Sequence, residues 1–189
     1  MKLELPTRKD IPSVLNERGL IGRAVEVGVH QGKFSSEILK VWRGKCLCSI
    51  DPWIFQPEVK LDKSNVSNEE HNDCYKICVE ALKPFGNRSV IIRDFSIEAS
   101  RNFEDSSLDF VYLDARHDYR SVMSDLRAWW PKVKVNGIMS GHDYFDKFLR
   151  KNLVEVKRAV DTFFEFGQLE EIFQTHNDNL PSWAVIKTK

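Results

Sequence analysis

The sequence predicts an α/β fold in which helices cover a mostly parallel sheet. Short apolar runs alternate with amphipathic stretches from Ala24 to the C-terminus, and no low-complexity tract interrupts them. The runs are nearly continuous in apolar and β-branched residues, as strands buried on both faces are. Because 189 residues lie within the usual size of one compact domain, we expect residues 1–189 to form a single domain.

The first strand, helix and second strand follow an N-terminal arm. Residues 1–22 are expected to form a helical arm, to which the sequence assigns no chemistry. Ala24–Val29 (AVEVGV) is the first predicted strand and Lys45–Asp51 (KCLCSID) the second. Between them, helical spacing predicts a helix whose buried face consists of Phe34, Ile38, Leu39 and Trp42.

A long polar segment separates this unit from the next elements. The prolines, serines and asparagines of residues 52–70 predict a surface loop that can lie over a ligand site. Ser96 is expected to cap a short helix between a third strand, SVIIRDF (89–95), and a fourth, Leu108–Asp114. The helix before the third strand is expected to bury Tyr75, Cys78, Val79 and Leu82.

The C-terminal part continues the alternation. Asn136-Gly137 is expected to turn the chain into a fifth strand, IMSGHDY (138–144), and LEEIFQ (169–174) with SWAVIKT (182–188) to form a terminal antiparallel pair. The helix before the fifth strand is predicted by Val122, Leu126, Trp129 and Trp130. The helix after it is predicted by Leu153, Val156, Val160, Phe163 and Phe164. Seven strands and about five main helices result.

Charge and composition argue against several classes of protein. Lysine plus arginine equals aspartate plus glutamate at 28 each, so nucleic acid is not the expected partner. The first residues lack the apolar core of a signal peptide, and no stretch reaches the ~18 apolar residues of a membrane helix. We therefore expect a cytoplasmic protein without a membrane partner, and a homo-oligomer is compatible with the sequence.

Four cysteines occur in two pairs, Cys46 with Cys48 and Cys74 with Cys78. Each pair falls on one face, the first of a strand and the second of a helix, so a zinc site is one interpretation. Neither spacing is that of a usual zinc knuckle, and reduced cysteine is often buried. Packing in the core is therefore the favoured interpretation.

The end of the first strand carries candidate cofactor-binding residues, because ligands of doubly wound sheets bind at the carboxyl ends of the strands. Glu26 and Gly28 precede a turn, closed by Gly32, in which glycine allows a ligand to approach the backbone. Val29 and His30 lie within that turn. Because His30 breaks the G-x-G-x-x-G pattern, a nicotinamide cofactor is not expected.

The ends of the second and third strands suggest an adenosine ligand. Asp51, followed by Pro52, can accept hydrogen bonds from two ribose hydroxyls, although Asp-Pro could simply start a turn. Asp94 and Phe95 offer an acceptor and an apolar face for an adenine ring, and a plain turn is the alternative there too.

Two acids and two histidines follow the fourth and fifth strands. Asp114, His142 and Asp143 form an oxygen, nitrogen and oxygen set that could hold a divalent metal. His117 would then remain free as a base near neutral pH. The alternative is that the histidines only cap the strand ends. Asp125 is expected to flank its helix, or to pair with a histidine.

The segments VEVGVHQGKFS, CSIDPW and DFVYLDARHDYRSVMSDLRAWWPKVKVNGIMSGHDY, in this order, resemble the class I S-adenosylmethionine methyltransferases. They are most similar to the small-molecule O-methyltransferase-like family called methyltransferase 24, over roughly Thr7 to Trp183. The resemblance implies a Rossmann-like, doubly wound sheet of seven strands with the last one antiparallel and helices on both faces. It also places Glu26, Gly28 and Gly32 around the methionine part of the cofactor, and Asp51 on its ribose.

Metal-dependent relatives are similar at the other end of the site. They place a metal-binding acid after strand four and two ligands in tandem after strand five, which implies Asp114, His142 and Asp143 here. The resemblance also implies that His117 is a base, with Asp114 beside it as a catalytic residue. His142 departs from the related metal sites, which have a carboxylate at this position.

We therefore expect a methyltransferase that uses S-adenosylmethionine to methylate a hydroxyl group of a small molecule, such as a sugar, a natural product or a phenol. Mg²⁺ or Mn²⁺ would assist the transfer. Two alternatives stay open: transfer without a metal, and a non-catalytic, regulatory protein that keeps the fold and the cofactor site.

Overall fold

The computed structural model describes residues 5–59, 64–149, 152–166 and 171–189. Three parts of the predicted elements lie outside the described residues: 1–4 of the arm, 60–63 of the loop, and 169–170 of the terminal strand pair. Within the described ranges, none of the helices is both long and apolar enough to cross a bilayer.

In the part of the chain that the structure describes, nine strands form one large sheet and one small hairpin. They are β1 (Arg23–Val27), β2 (Cys46–Ile50), β3 (Ser89–Ile92), β4 (Leu108–Leu113), β5 (Val133–Gly141), β6 (Asp146–Leu149), β7 (Asn152–Glu155), β8 (Ile172–Gln174) and β9 (Trp183–Ile186). The large sheet has the order β3-β2-β1-β4-β5-β9-β8, and β6 pairs with β7. Strands β1 to β5 are parallel, whereas β9 is antiparallel to both β5 and β8. The predicted fold class is confirmed.

Six α-helices among the described residues cover the two faces of this sheet. They are α1 (Ile11–Glu17), α2 (Lys33–Val41), α3 (Asn68–Leu82), α4 (Ser96–Ser100), α5 (Tyr119–Trp129) and α6 (Val156–Phe164). Helices α1 to α3 contribute to one core cluster and α4 to α6 to the other. Along β1, Val25 and Val27 belong to the second cluster and Ala24 to the first. Because alternate strand residues point to opposite faces, both faces need apolar side chains.

The segment before α6 differs from the sequence-based prediction. Leu153 was expected on the apolar face of a helix, but it lies in β7, and α6 begins only at Val156. In the hairpin, Val154 is buried while Leu153 is 43% exposed. This alternation is that of a strand, and the spacing of three from Leu153 to Val156 only resembles a helical period.

The start of β5 also differs from the prediction. The strand begins at Val133 and runs through Asn136-Gly137 instead of starting after it. A bulge in the pairing with β4 takes up the extra residues, and Asn136 adopts a left-handed φ of 66°. Its amide donates to the Lys187 carbonyl over 2.7 Å, so the bulge is held by the chain beside it.

Helices α3 and α4 differ in detail from the prediction, whereas the cysteines pack in the core as expected. Ser96 is the first residue of α4 and does not cap it, since Phe95 occupies the capping position. Cys48, Cys74 and Cys78 are buried and Cys46 is partly buried, and all four are free thiols. Among the described residues, no cysteine belongs to a cluster that could hold a metal ion. The buried face of α3 consists of His71, Cys74, Cys78 and Leu82, whereas Tyr75 and Val79 are only partly buried.

Candidate active site

A cavity of about 800 Å³ opens at the carboxyl ends of the parallel strands. Of the residues singled out from the sequence, those that line it are Glu26, Gly28, Val29, His30, Asp51, Pro52, Asp94, Phe95, Asp114, His117, Asp125 and Asp143. Gly32 and His142 do not line it. This edge of the sheet is where ligands of doubly wound folds bind.

Two glycines shape the turn after β1. Gly28 has a φ of 86°, and a side chain there would overlap the backbone carbonyl of Asp114. The ends of β1 and β4 can therefore touch only if this residue is glycine. Gly32, with a φ of 74°, is the residue before α2 and ends the turn. Its role is to set the path of the backbone, since it lies outside the cavity wall.

Asp51 holds the same turn from the end of β2. Its Oδ2 accepts hydrogen bonds from the amides of Val29 (3.0 Å) and His30 (2.9 Å), and its Oδ1 accepts from the amide of Trp53 (2.8 Å). The carboxylate therefore does start a turn, as the alternative interpretation proposed. A carboxylate has about four acceptor positions, so Asp51 still has capacity for a ligand in the cavity.

The loop after β2 forms one wall of the cavity. Trp53 is 1% exposed and its indole donates to the His30 carbonyl over 2.7 Å, which anchors the start of the loop. Asn65 closes the loop on itself, since its amide donates to the carbonyls of Gln56 and Val59, both over 2.7 Å. The predicted placement of this loop over the site is confirmed for its described residues.

Glu26 is a buried acid at the floor of the cavity. It is 2% exposed and accepts a hydrogen bond from the hydroxyl of Ser35, which also contacts Ser49 over 2.8 Å. Burial raises the pKa of Glu26 to about 8, although the bond from Ser35 opposes this. The side chain therefore holds a proton near neutral pH, and a positive charge placed nearby would lower its pKa so that the proton is released to solvent.

Asp114, His117 and Asp143 form a cluster at the ends of β4 and β5, with one ligand atom of each within 4.8 Å of the others. His117 Nε2 lies 2.9 Å from Asp143 Oδ2 and 3.8 Å from Asp114 Oδ1. Burial disfavours the charged imidazole, but the attraction of the two neighbouring carboxylates, Asp114 and Asp143, outweighs it and raises the pKa of His117 to about 10. His117 is thus an imidazolium near neutral pH, and not the free base that the sequence suggested.

His142 lies beside this cluster and not in it. Its Nδ1 is 3.3 Å from Asp143 Oδ1 and 3.9 Å from Asp114 Oδ1. Burial alone would raise the pKa of Asp143, but hydrogen bonds from His117 and His142 outweigh it and hold this pKa well below its usual range. The structure therefore differs from the predicted metal set of Asp114, His142 and Asp143, because His117 takes the place of His142.

Asp125 contributes to the cavity wall in an unexpected way. It is 7% exposed and accepts a hydrogen bond from Ser96, which in turn accepts one from the Trp129 indole over 3.0 Å. Burial raises the pKa of Asp125 to about 6. Its partner is thus a serine and not the histidine that the sequence allowed.

Two further lining residues were not found from the sequence. Arg8 reaches the cavity from the N-terminal arm, and no local pattern indicates this. His71, on the first turn of α3, is 8% exposed, and its Nε2 is buried without a hydrogen-bond partner among the described residues. Burial lowers the pKa of His71, so it is neutral near pH 7. No motif in the sequence singles out His71.

One family and a large number of solved structures are similar to this chain. The family described as a methyltransferase domain matches residues 25–144. Among curated proteins, the uncharacterized protein y4gI of Sinorhizobium fredii is 36% identical over 55 residues, or 29% of this chain. The chain spans only 6% of the length of that relative.

Two solved structures illustrate the shared fold. An O-methyltransferase of Bacillus cereus in complex with S-adenosylhomocysteine has a TM-score of 0.63 at 12% identity, covering 95% of this chain and 80% of that one. An rRNA methylase of Streptococcus thermophilus also has a TM-score of 0.63, at 10% identity, with all of both chains covered. At such low identity the likeness is one of fold.

Proposed function

Because this chain belongs to the methyltransferase-domain family, we propose that it transfers the methyl group of S-adenosylmethionine to a hydroxyl group of a small molecule. One observation carries the proposal. A single cavity joins Asp51, at the end of β2, to the cluster of Asp114, His117 and Asp143 at the ends of β4 and β5. A methyl donor and an acceptor would therefore meet in one space, where binding holds them in line for transfer.

The β2 and β3 side of the cavity suits the adenosine part of the donor. Asp51 would accept from the ribose hydroxyls, and Phe95, with Asp94 beside it, would contact the adenine ring. Gly28 lines the cavity at the end of β1, so the donor would pass along its backbone. Glu26 would release its proton when the positively charged amino group of the donor lies nearby. The cofactor bound in the O-methyltransferase of Bacillus cereus is the demethylated product of this donor, which supports the choice.

The cluster suits the acceptor. As an imidazolium, His117 cannot take a proton from the acceptor, but it can donate a hydrogen bond to the acceptor oxygen. Its positive charge stabilises the negative charge that develops as that oxygen is deprotonated and attacks the methyl group. The carboxylate of Asp114 lies next to it and would take the hydroxyl proton, since the hydrogen bonds from His117 and His142 keep Asp143 ionised.

The same three side chains fit a divalent cation such as Mg²⁺ or Mn²⁺. Two carboxylates and one imidazole lie close enough to share one ion, and this donor set suits such metals. Asp114, His117 and Asp143 would hold it, and His117 would lose its proton to do so. When bound, the ion would lower the pKa of the acceptor hydroxyl.

Two observations support a small molecule as the acceptor. The cavity volume of about 800 Å³ lies within the range of about 300–1,000 Å³ of small-molecule sites. The chain carries 28 basic and 28 acidic residues, so it lacks the excess positive charge expected of an RNA-binding enzyme. A nucleic-acid acceptor and a cofactor-binding protein without catalysis are the alternatives that the experiment must separate.

The test combines binding and turnover. Calorimetry with S-adenosylmethionine and S-adenosylhomocysteine, with and without Mg²⁺ or Mn²⁺, measures affinity in the wild type and in Asp51→Ala. Release of S-adenosylhomocysteine is then followed with a panel of hydroxylated small molecules and with RNA, before and after chelation of metals. We expect micromolar binding that Asp51→Ala abolishes, and turnover with at least one small molecule.

Each outcome decides between the alternatives. Turnover that survives exhaustive chelation indicates transfer without a metal. Turnover with RNA alone contradicts the small-molecule proposal. Binding without turnover on any acceptor favours a non-catalytic protein, and absence of binding to both nucleosides contradicts the proposal as a whole.

A further inference from the structure

Arg8 is a lining residue that the proposed function leaves without a role. It begins a short 3₁₀ turn (Arg8–Asp10) ahead of α1 and lines the cavity. The turn is fixed by Thr7, whose amide and hydroxyl donate to Asp10 Oδ2 over 2.9 and 2.8 Å. The amide of Arg8 donates to Asp178 Oδ2 over 2.8 Å. The backbone at Arg8 is therefore anchored at several points.

The guanidinium of Arg8 is also held in one place. It lies over the ring of Phe34, 4.8 Å from the ring centre, and it lies near the hydroxyl of Tyr112. Its Nη1 is 3.6 Å from Asp114 Oδ2, which is an ion pair but beyond hydrogen-bond distance. The side chain is 30% exposed. Because a guanidinium has five N–H donors, these neighbours occupy only part of its capacity.

The place of Arg8 along the sheet indicates what it would bind. In the order β2-β1-β4, Asp51 ends β2 and Asp114 follows β4, so two strand spacings, about 10 Å, separate these ends. Arg8 lies at the Asp114 end, opposite the proposed ribose site. A donor whose ribose is at Asp51 and whose chain passes Gly28 would bring its amino-acid end to Arg8.

We infer that Arg8 binds the carboxylate at the amino-acid end of the methyl donor, and thereby selects donors in which this end is intact. The inference rests on the proposed function. A planar guanidinium suits a carboxylate, with which it can form two parallel hydrogen bonds. A carboxylate on the acceptor would offer the same chemistry, so the experiment omits the acceptor.

The experiment measures the affinity of two nucleosides for three proteins by calorimetry. S-adenosylhomocysteine carries the amino-acid end, and 5′-methylthioadenosine lacks it. The proteins are the wild type, Arg8→Ala and the control Lys9→Ala, which removes the next residue, a cation that is 69% exposed. We expect Arg8→Ala to weaken the affinity for S-adenosylhomocysteine about 10- to 100-fold, as loss of charged hydrogen bonds does. The affinity for 5′-methylthioadenosine should stay within about twofold of the wild-type value.

The remaining outcomes separate this inference from the proposed function. If Arg8→Ala loses the same factor of affinity for both nucleosides, Arg8 only supports the cavity. If it loses affinity for neither, Arg8 contacts neither nucleoside. Both results overturn the inference while the proposed function stands. Wild-type protein that binds neither nucleoside overturns both. If Arg8→Ala fails to fold, judged by circular dichroism, Arg8→Gln takes its place, because it keeps most of the packing and removes the charge.

Discussion

Replacing Glu26 by glutamine tests the buried acid at the floor of the cavity. The unfolded chain loses this proton with an ordinary pKa of 4.5, whereas the folded protein, without ligand, holds it until a pKa of about 8. Between these values the folded state binds more protons than the unfolded state, so the free energy of unfolding falls as pH rises. The slope is about 1.4 kcal/mol per pH unit, which gives a loss of roughly 3 to 5 kcal/mol from pH 5 to pH 9.

Urea denaturation of the wild type and Glu26→Gln at several pH values between 5 and 9 measures this effect. Glutamine has nearly the same shape, can still accept the hydrogen bond from Ser35, and carries no titrating proton. The variant should match the wild type near pH 5 and exceed it by roughly 3 to 5 kcal/mol near pH 9. Taking the difference between the two proteins removes the titration of His117, which both share.

Glu98→Gln is the matched control, because Glu98 is an exposed acid that lines the same cavity. It should leave the pH dependence of stability as in the wild type. If the stability curves of the wild type and Glu26→Gln run parallel from pH 5 to pH 9, Glu26 is already ionised in the folded protein. The account of a protonated acid at the cavity floor would then be wrong.

Three further changes probe other parts of the site. Gly28→Ala forces a side chain against the Asp114 carbonyl at a positive φ, so it should destabilise the fold by at least ~1 kcal/mol and abolish nucleoside binding; a normal melting temperature with unchanged affinity would contradict this. His71→Ala should weaken the binding of S-adenosylhomocysteine and of 5′-methylthioadenosine by similar factors, about 3- to 30-fold, if its Nε2, which has no partner among the described residues, contacts the adenosine they share; calorimetry that finds both affinities the same as in the wild type would exclude such a contact. Asp143→Asn removes the closer carboxylate, so the pKa of His117 should fall from about 10, as followed by the chemical shift of its ring in an NMR titration; an unchanged pKa would show that Asp114 alone sustains it.

The order of the elements was predictable because it depends on local patterns. The near-continuous apolar runs at β1 and β4 follow from burial on both faces, and polar residues directly after them fall at one edge of the sheet. Asp51 and Asp114 were therefore placed correctly at the cavity. The same local reasoning was wrong at Leu153, where the apolar spacing fits a helix but pairing with β6 makes a strand.

The sequence by itself determined the fold class, the edge of the sheet that carries the site, and most of the polar residues there. Only the tertiary structure decided which of these residues meet, because contacts between distant segments depend on strand register and on how the loops cross the edge. It brought His117, and not His142, between Asp114 and Asp143, and it carried Arg8 from the N-terminal arm to the cavity. It also set the pKa values of Glu26 and His117, because these depend on burial and on charges from distant segments, and both arise only when the chain folds.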